Sequence, residues 1–326
     1  MEFALKNFFV AAPLLFLWGL CITPLSISLS NRYRIVDFPG ERKIHSSVTP
    51  RGAGIVLWLG FLLWCLFAVK AHPAVRLIGT GSTFIFFSGY WDDMKTLSPL
   101  ARLGIHLFAA VFFLWSVPLP PLHFAVCLLW ITGMTNAYNL IDGANGLCLL
   151  MFITASVLSS ALGNTTVFLS LACLAGGVLY WNFPRARTFL GDGGTTLLGY
   201  LFSCFFIYTA SPVLSTAKTV ELPFLLLLAG GVPVADTLFA IMRRLWRGVS
   251  PFSPDRGHIH HRLMDKGLSP FWTVILLAFF QAILSKNLTS GISLLSWSRC
   301  LFITSVSYIP PQGMIPLYIA SHWAAS

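Results

Sequence analysis

Long apolar segments recur along the whole chain and are separated by short polar connections. About ten of them have the length and composition of membrane-crossing helices. Their approximate bounds are 7–29, 52–70, 73–91, 103–118, 121–136, 146–163, 165–183, 194–211, 221–242 and 271–285. Only 10% of the residues are charged, which is too few to cover a water-soluble fold of this size. The sequence therefore predicts an all-α, polytopic membrane bundle of about 10–11 transmembrane helices.

The first apolar run and the C-terminal part of the chain each need an assignment of their own. Lys6 is the only early base before a long apolar run, which favours a retained first helix over a cleaved signal peptide. A further short span near 292–309 stays an open alternative, because polar residues and Pro310–Pro311 interrupt it. We expect a single membrane domain over 1–326, with an atypical C-terminal part at 286–326.

The formal net charge of +10 is distributed unevenly over the connections. Alternate loops of such a bundle lie on opposite faces, and one face collects most of the Lys and Arg residues. Its loops are 30–51, 91–102, 136–146, 183–193 and 243–270. Because excess Lys and Arg mark the cytoplasmic side, these loops are predicted to be inside and the N-terminus outside. Bases split among membrane loops argue against nucleic-acid binding.

The acidic residues follow the same division, although acids contribute little to membrane topology. The acids in the inner loops are Asp37, Glu41, Asp92, Asp93, Asp142, Asp192, Asp255 and Asp265. Asp236 stands late in a predicted span as an isolated acid, about two helical turns before Arg243. Carboxylates clustered opposite bases indicate a cytoplasmic active site for an anionic substrate and a metal ion.

The segment 136–146, NAYNLIDGANG, is the polar stretch between two apolar runs that most resembles a binding site. We interpret it as a helix end and a tight loop that present the oxygens of Asn139, Asp142 and Asn145. Such oxygens suit a hard divalent cation or a sugar nucleotide. An ordinary polar loop between two helices is the alternative.

Two further segments carry carboxylates at predicted helix ends. Asp92 and Asp93 are adjacent, so each raises the other's pKa unless a cation intervenes, which favours metal binding or proton abstraction. The alternative, a helix end in solvent, places two acids badly for the helix dipole. Asp192 is flanked by glycines in FLGDGG, where backbone N–H groups could face phosphate while the carboxylate binds a divalent ion. A helix-capping Asp is the alternative there.

The segment 255–262 contains three histidines and two arginines. His258, His260 and His261 lack the HxxxH spacing and the Cys partners of zinc sites, so an anion site for phosphate is favoured. A basic loop that touches lipid head groups is the alternative. Arg102 could likewise snorkel to the interface or reach a phosphate. The bases of the turn-rich segment 37–54 are mostly explained by topology.

Five of these segments, in this order, resemble the polyprenyl-phosphate N-acetylhexosamine-1-phosphate transferase family. They are DxPxxRKxH at 37–45 with PRGAG at 50–54, DDMKTLSP at 92–99, NAYNLIDGANG at 136–146, FLGDGG at 189–194 and DRGHIHHRL at 255–263. The resemblance covers about residues 20–284. The HIHH form resembles the undecaprenyl-phosphate GlcNAc-1-phosphate transferase branch more than the phospho-MurNAc-pentapeptide transferase branch.

This resemblance implies transfer of HexNAc-1-phosphate from a UDP-amino sugar to polyprenyl phosphate, with Mg²⁺ or Mn²⁺, at the start of a cell-envelope glycan such as O-antigen. Asn139 and Asp192 match the metal ligands, and Asp92 and Asp93 the catalytic carboxylates. The matches to substrate-binding positions are Lys43, Arg102, Asp142, Asn145, His258, His260 and His261. Many members have Asp where this chain has Asn145. The resemblance also suggests an inner-membrane enzyme, with a homodimer left open.

A transporter of a phosphorylated solute is the alternative from another class, with the isolated Asp236 as its coupling group. Transport sites usually lie near the membrane midplane at broken helices. The polar groups of this sequence instead collect at one predicted face, which favours the enzyme.

Overall fold

The computed structural model describes residues 2–39, 47–67, 73–250, 253 and 257–306, with side chains for those of them between 10 and 292. Eleven α-helices account for most of this part of the chain. They are α1 Glu2–Arg32, α2 Ala53–Phe67, α3 Pro73–Met94, α4 Pro99–Leu114, α5 Pro121–Ile141, α6 Leu147–Ser159, α7 Thr165–Asn182, α8 Gly191–Leu214, α9 Glu221–Trp246, α10 Ile259–Asp265 and α11 Pro270–Val306. Two short antiparallel strands, β1 Val36–Asp37 and β2 Thr49–Pro50, form a hairpin after α1.

The predicted membrane bundle is confirmed, since each of the ten predicted spans coincides with one helix. By length and composition, α5, α7, α8, α9 and parts of α1 and α11 are able to cross a membrane, and α2, α4 and α6 are shorter apolar helices. Because lipid offers the backbone no hydrogen-bond partner, long apolar runs form helices that satisfy their own N–H and C=O groups.

Two helix ends lie well beyond their predicted positions, and one helix was not predicted. Helix α5 continues through Ile141, so Asn136 and Asn139 lie on a helix and only 142–146 forms the turn. Helix α11 was predicted to end at 285 but continues to Val306, because its polar residues and the single Gly291 do not stop a helix as Pro does. The seven-residue α10 was not predicted at all. Residues 307–326, with Pro310 and Pro311, lie outside the described part.

Helix α8 lies at the centre of the bundle and packs against α2, α3 and α5. Glycines allow two of these contacts to be very close. A Cβ on Gly89 of α3 would lie 2.5 Å from the backbone nitrogen of Gly193, and one on Gly54 of α2 would lie 2.7 Å from that of Gly194. Small residues of this kind let membrane helices approach closely. The first turn of α8 is thereby fixed between α2 and α3.

The segment before α2 runs beside the segment before α8. Phe189 N donates to the carbonyl oxygen of Pro50 at 2.7 Å, and Gly54 N donates to that of Leu190 at 3.2 Å. A parallel bridge pairs Arg51 with Phe189. Two sequence segments that are 138 residues apart are therefore aligned side by side at the end of the bundle where α8 begins.

Helix α9 is broken at Gly231, whose φ of 57° and ψ of −139° are not helical, and Pro233 follows in the next turn. The backbone N–H of Val232 donates at 2.9 Å to Oε1 of Gln281, a buried residue of α11. A side chain thus supplies an acceptor at the break, as buried backbone in a membrane requires. The break sets the direction of the second half of α9, which carries Asp236.

Candidate active site

The residues predicted from separate segments meet at one end of the bundle, here called the site end. It is formed by the last turns of α3 and α5 and the first turns of α4 and α8. These turns carry Asp92, Asn139, Arg102 and Asp192 respectively. Alternating helix direction places these turns together, although Arg102 and Asp192 lie 90 positions apart in sequence.

Arg102 lies between two carboxylates. Its Nη1 contacts Oδ2 of Asp92 and lies 3.1 Å from Oδ2 of Asp192. Nδ2 of Asn139 donates to the same oxygen of Asp192, also at 3.1 Å. The predicted convergence of the two acids with Asn139 and Arg102 is therefore observed in the geometry. The guanidinium offsets the repulsion between two carboxylates that burial would otherwise make costly.

Asp93 is held by a second arginine that the sequence analysis attributed to topology. Nη1 of Arg51 donates to Oδ1 of Asp93 at 3.0 Å, and its Nη2 donates to Oδ1 of Asp37 at 2.7 Å. The Asp93 side chain is only 4% exposed. The alternative of a helix end in solvent is thus wrong for Asp93. The motif PRGAG contains the signal, but its meaning depends on a partner 42 residues away.

Position 191 requires glycine, because of both its backbone conformation and its close contact with Asp93. Its φ is 69°, a conformation that favours glycine, and a Cβ there would lie 2.4 Å from Oδ2 of Asp93. The alternative that Asp192 caps α8 is also wrong, because Leu190 occupies the N-cap position. The Asp192 carboxylate is instead directed to Arg102 and Asn139.

A buried amide that the sequence analysis missed joins two of the motifs. Oδ1 of Asn182, the last residue of α7, accepts from Gly146 N at 2.7 Å, and its Nδ2 donates to the carbonyl oxygen of Thr188 at 2.7 Å. Asn182 is 3% exposed. It therefore fixes the 142–146 loop to the segment that leads into α8. An Asn at the end of an apolar run was the available signal.

Asn145 and Asp142 occupy the 142–146 loop. Nδ2 of Asn145 donates to the carbonyl oxygen of Pro184 at 3.2 Å. The pKa of Asp142 is raised to about 7, chiefly by burial and also by the negative charges of Asp192 and Asp93, with the positive charge of Arg51 opposing. The part of this shift that comes from Asp192 and Asp93 indicates a negative potential at the loop, which favours binding of a cation.

The histidine segment, which follows α9 and forms the start of α10, lies against this loop. The ring of His260 is 1% exposed and lies so close to Gly143 that a Cβ there would be 1.9 Å from Nε2. Neither ring nitrogen has a hydrogen-bond partner among the described residues. Burial and the neighbouring His261 and His258 lower the pKa of His260 to about 3, with Asp236 opposing. His260 is therefore a neutral group with its polar atoms uncommitted.

Asp236 was expected to be isolated, and that is wrong: its Oδ2 lies 2.8 Å from Nδ1 of His258. The ring centroid of His261 lies 4.2 Å from that of His260, so all three histidines form one group. Lys43, Asp255 and Arg256 lie outside the described residues.

Comparison with known proteins supports the grouping of these motifs. Residues 75–210 match the sequence model of glycosyl transferase family 4. Over 307 residues the chain is 33% identical to a Bacillus subtilis protein named "Probable undecaprenyl-phosphate N-acetylglucosaminyl 1-phosphate transferase", and the match covers 84% of each protein. The chain belongs to glycosyl transferase family 4.

Other members of family 4 are similar over most of their length. The "Decaprenyl-phosphate N-acetylglucosaminephosphotransferase" of Mycobacterium leprae is 31% identical, with 81% of this chain and 78% of that protein covered. The "Undecaprenyl-phosphate alpha-N-acetylglucosaminyl 1-phosphate transferase" of Yersinia pestis is 26% identical, with coverages of 83% and 80%. The family resemblance expected from the motifs is confirmed. The family 4 match at 75–210 includes Asp92, Arg102, Asn139 and Asp192. It ends before the histidine segment at 258–261.

The residues that converge at the site end fit a hard cation by the chemistry of their donors. Within the described ranges, no group of three or more His, Cys, Asp or Glu side chains is placed to hold a metal. The set that does converge is mixed, with the carboxylates of Asp92 and Asp192 and the amide of Asn139. Carboxylate and amide oxygens are the ligands of Mg²⁺, which keeps several waters and needs only one or two protein carboxylates.

Proposed function

We propose that this protein transfers N-acetylhexosamine-1-phosphate, from GlcNAc or a related amino sugar, from a UDP-sugar to a polyprenyl phosphate such as undecaprenyl phosphate. The single observation that carries the proposal is the convergence of Asp92, Asn139 and Asp192 around Arg102 at one end of a membrane bundle. The printed names of the family 4 relatives support the lipid and sugar classes.

The reaction is a phosphoryl-group displacement. An oxygen of the lipid phosphate forms a bond to the β-phosphorus of the UDP-sugar, while the bond from that phosphorus to the bridging oxygen breaks. The electron pair leaves with UMP, and the product is a polyprenyl-diphospho-sugar. The lipid phosphate, with a second pKa of about 6 by analogy with phosphorylated side chains, is mostly dianionic at pH 7. Little proton abstraction is needed, so Asp92 and Asp93 chiefly orient groups.

Both substrates are anionic, and the residues of the site offset their mutual repulsion. Arg102 and Arg51 already pair with the carboxylates and can spread phosphate charge when the substrates enter. Asp192 and Asn139 would hold Mg²⁺, or Mn²⁺ in its place. When bound, this ion neutralises and orients the diphosphate.

The sugar nucleotide occupies the side of the site formed by the 142–146 loop and the histidine segment. Asp142 and Asn145 contribute the carboxyl and amide groups that can bind a uracil edge, since an amide offers donors and an acceptor. His260 contributes the uncommitted ring nitrogens toward the diphosphate, with His258 and His261 beside it. Lys43 remains a predicted member of this group.

The site end faces the cytoplasm, where UDP-sugars are made, and the N-terminus lies outside. Bases are concentrated at that end, which carries Arg32, Arg34, Arg51, Lys95, Arg102, Arg185, Arg187, Arg243, Arg244, Arg247, Arg262 and Lys266. The described bases away from that end are fewer, namely Lys6, Arg76, Lys218, Lys286 and Arg299. This asymmetry supports the orientation.

In an inner membrane the product starts a cell-envelope glycan such as O-antigen. Homodimerisation remains a prediction.

The deciding experiment incubates the purified full-length protein with undecaprenyl phosphate, Mg²⁺ and a panel of UDP-GlcNAc, UDP-GalNAc and other UDP-amino sugars. Mass spectrometry of the lipid fraction should find an undecaprenyl-diphospho-sugar, with one UMP released for each. The proposal fails if no donor gives such a lipid while membrane vesicles containing the protein take up a phosphorylated solute, which is what a transporter would do.

A further inference from the structure

Asp236 connects the second half of α9 to the start of α10. It is 5% exposed, and both of its carboxylate oxygens accept hydrogen bonds from the same short segment. Oδ1 accepts from Ile259 N at 2.8 Å, and Oδ2 lies 2.8 Å from Nδ1 of His258. His258 stands at the N-cap position of α10 but makes no side-chain capping bond. The carboxylate of a different helix therefore accepts the first N–H of α10.

This pair also fixes the ring of His258. A carboxylate only accepts hydrogen bonds, so Nδ1 of His258 carries the proton and, in the neutral ring, Nε2 is left as an acceptor. The ring of His260 stacks beside it, with centroids 5.9 Å apart and planes 13° apart. His260 in turn lies against Gly143 of the 142–146 loop. A continuous set of contacts thus joins α9 to that loop.

The broken helix explains how Asp236 reaches α10. Asp236 lies five residues after Gly231, in the half of α9 whose direction the break sets. The acceptor that Gln281 supplies to Val232 N stabilises the break, and Nε2 of Gln281 donates to Oγ of Ser285 at 3.2 Å. Helix α11 thereby stabilises the break in α9 that directs Asp236 toward α10.

We propose that Asp236 is a positioning residue whose carboxylate holds α10 and the His258 ring, so that His260 stays against the 142–146 loop. The inference rests on the proposed function in one respect, namely that this loop and the histidines bind the sugar nucleotide. The carboxylate acts through the histidine segment and touches no substrate itself.

The first test needs no catalysis. Hydrogen–deuterium exchange of the full-length protein in detergent is followed in the peptide that covers 257–266. Asp236→Ala should speed exchange there about tenfold, because a hydrogen bond to a charged group is lost. Asp265→Ala, which removes an exposed carboxylate of α10 itself, should leave the rate unchanged. Equal exchange in wild type and Asp236→Ala would overturn the proposal.

The second test asks whether Asp236 acts through His258. Asp236→Asn, His258→Ala and the double variant are compared for KM of the UDP-sugar and of the lipid. Each single variant should raise the UDP-sugar KM about tenfold and leave the lipid KM unchanged, and the double variant should be no worse than either single one. Multiplying effects, or a parallel rise of both KM values, would contradict the proposal.

The two tests separate this proposal from the proposed function. If the wild-type protein forms no lipid-linked sugar with any donor, the function fails while the exchange measurement still decides the role of Asp236. If Asp236→Ala does not accumulate in the membrane, Asp236→Asn is used for exchange. Its amide oxygen still accepts from Ile259 N, and its N–H turns the His258 ring to the tautomer in which Nδ1 accepts. Neither hydrogen bond then involves a charged acceptor, so exchange should still rise, but less than in Asp236→Ala.

Discussion

Arg51 donates a hydrogen bond to Asp93 across 3.0 Å, and its second nitrogen holds Asp37 in the hairpin. The segment before α2 and the last turn of α3 are therefore joined through one guanidinium. A buried carboxylate without such a partner would be costly, so Arg51 is needed for the charge state of the site as well as for its shape.

Replacing Arg51 by Gln is expected to cost about 1–3 kcal/mol of stability, because Asp93 loses a charge-assisted hydrogen bond while it stays buried. We also expect kcat to fall by about tenfold or more, since Asp93 would shift or bind a proton. Thermal unfolding in detergent and steady-state kinetics measure the two effects. Arg247→Gln removes an exposed arginine at the same end and should change neither. Equal behaviour of the two variants would refute the role given to Arg51.

Asn182→Ala should loosen the 142–146 loop, because the buried N–H of Gly146 and the buried carbonyl of Thr188 both lose their partner. Unsatisfied buried groups of this kind cost about 1–3 kcal/mol each. The KM for the UDP-sugar should rise by about several-fold to tenfold, since a loss of about 1.4 kcal/mol in binding free energy corresponds to a factor of ten. The lipid KM should stay constant.

The matched control for this prediction is Asn164→Ala, which removes the exposed Asn164–Thr209 hydrogen bond of 2.9 Å at the opposite end of the bundle. It should leave the UDP-sugar KM unchanged. If Asn164→Ala raised that KM as much as Asn182→Ala, the effect would be general destabilisation and the link between the two loops would carry no function.

His260 should act as a neutral hydrogen-bonding group. With its pKa lowered to about 3 by burial, it is uncharged from pH 5.5 to 8.5. His260→Gln should raise the UDP-sugar KM by a factor that stays the same across this range. A ratio that falls toward one as the pH rises would show that a protonated His260 binds the diphosphate. His123→Gln, at the far end of the bundle, is the control.

The same pKa gives a prediction for stability. The folded protein binds a proton at His260 less readily than the unfolded chain, whose histidine titrates near 6.5. The unfolded state therefore holds more protons between about pH 3 and 6.5, and this group makes stability fall as the pH is lowered through that window. Thermal unfolding at pH 5 and 7.5 should show a smaller acid-induced loss for His260→Gln than for wild type.

The helices were predictable because the membrane leaves the backbone few choices. An apolar run in lipid forms a helix, and the change to polar residues marks its ends approximately. Helix α3 was predicted to end at 91 and ends at Met94, and α8 was predicted to begin at 194 and begins at Gly191. The prediction was wrong where polar residues continue a helix, as Asn136 and Asn139 do in α5 and as the residues after 285 do in α11.

The composition of the site was predictable in part. Asp92, Asn139 and Asp192 stand at helix ends that a simple alternation of direction brings to one face. The contacts of Arg51, Asn182 and Asp236 were not predictable, because their partners lie 42, 36 and 22 residues away and depend on how the helices pack. A polar residue near the end of an apolar run indicates such a position, but the sequence does not identify the residue that it contacts.

The measurement that tests the central claim most directly is a turnover assay with UDP-GlcNAc labelled in its β-phosphate, using wild type, Asp192→Ala and Asn139→Ala. We predict that label passes to undecaprenyl phosphate only with wild type and only with Mg²⁺ or Mn²⁺ present, while both variants accumulate in the membrane normally. Near-normal transfer by either variant in detergent would contradict a shared metal-dependent site at the ends of α5 and α8.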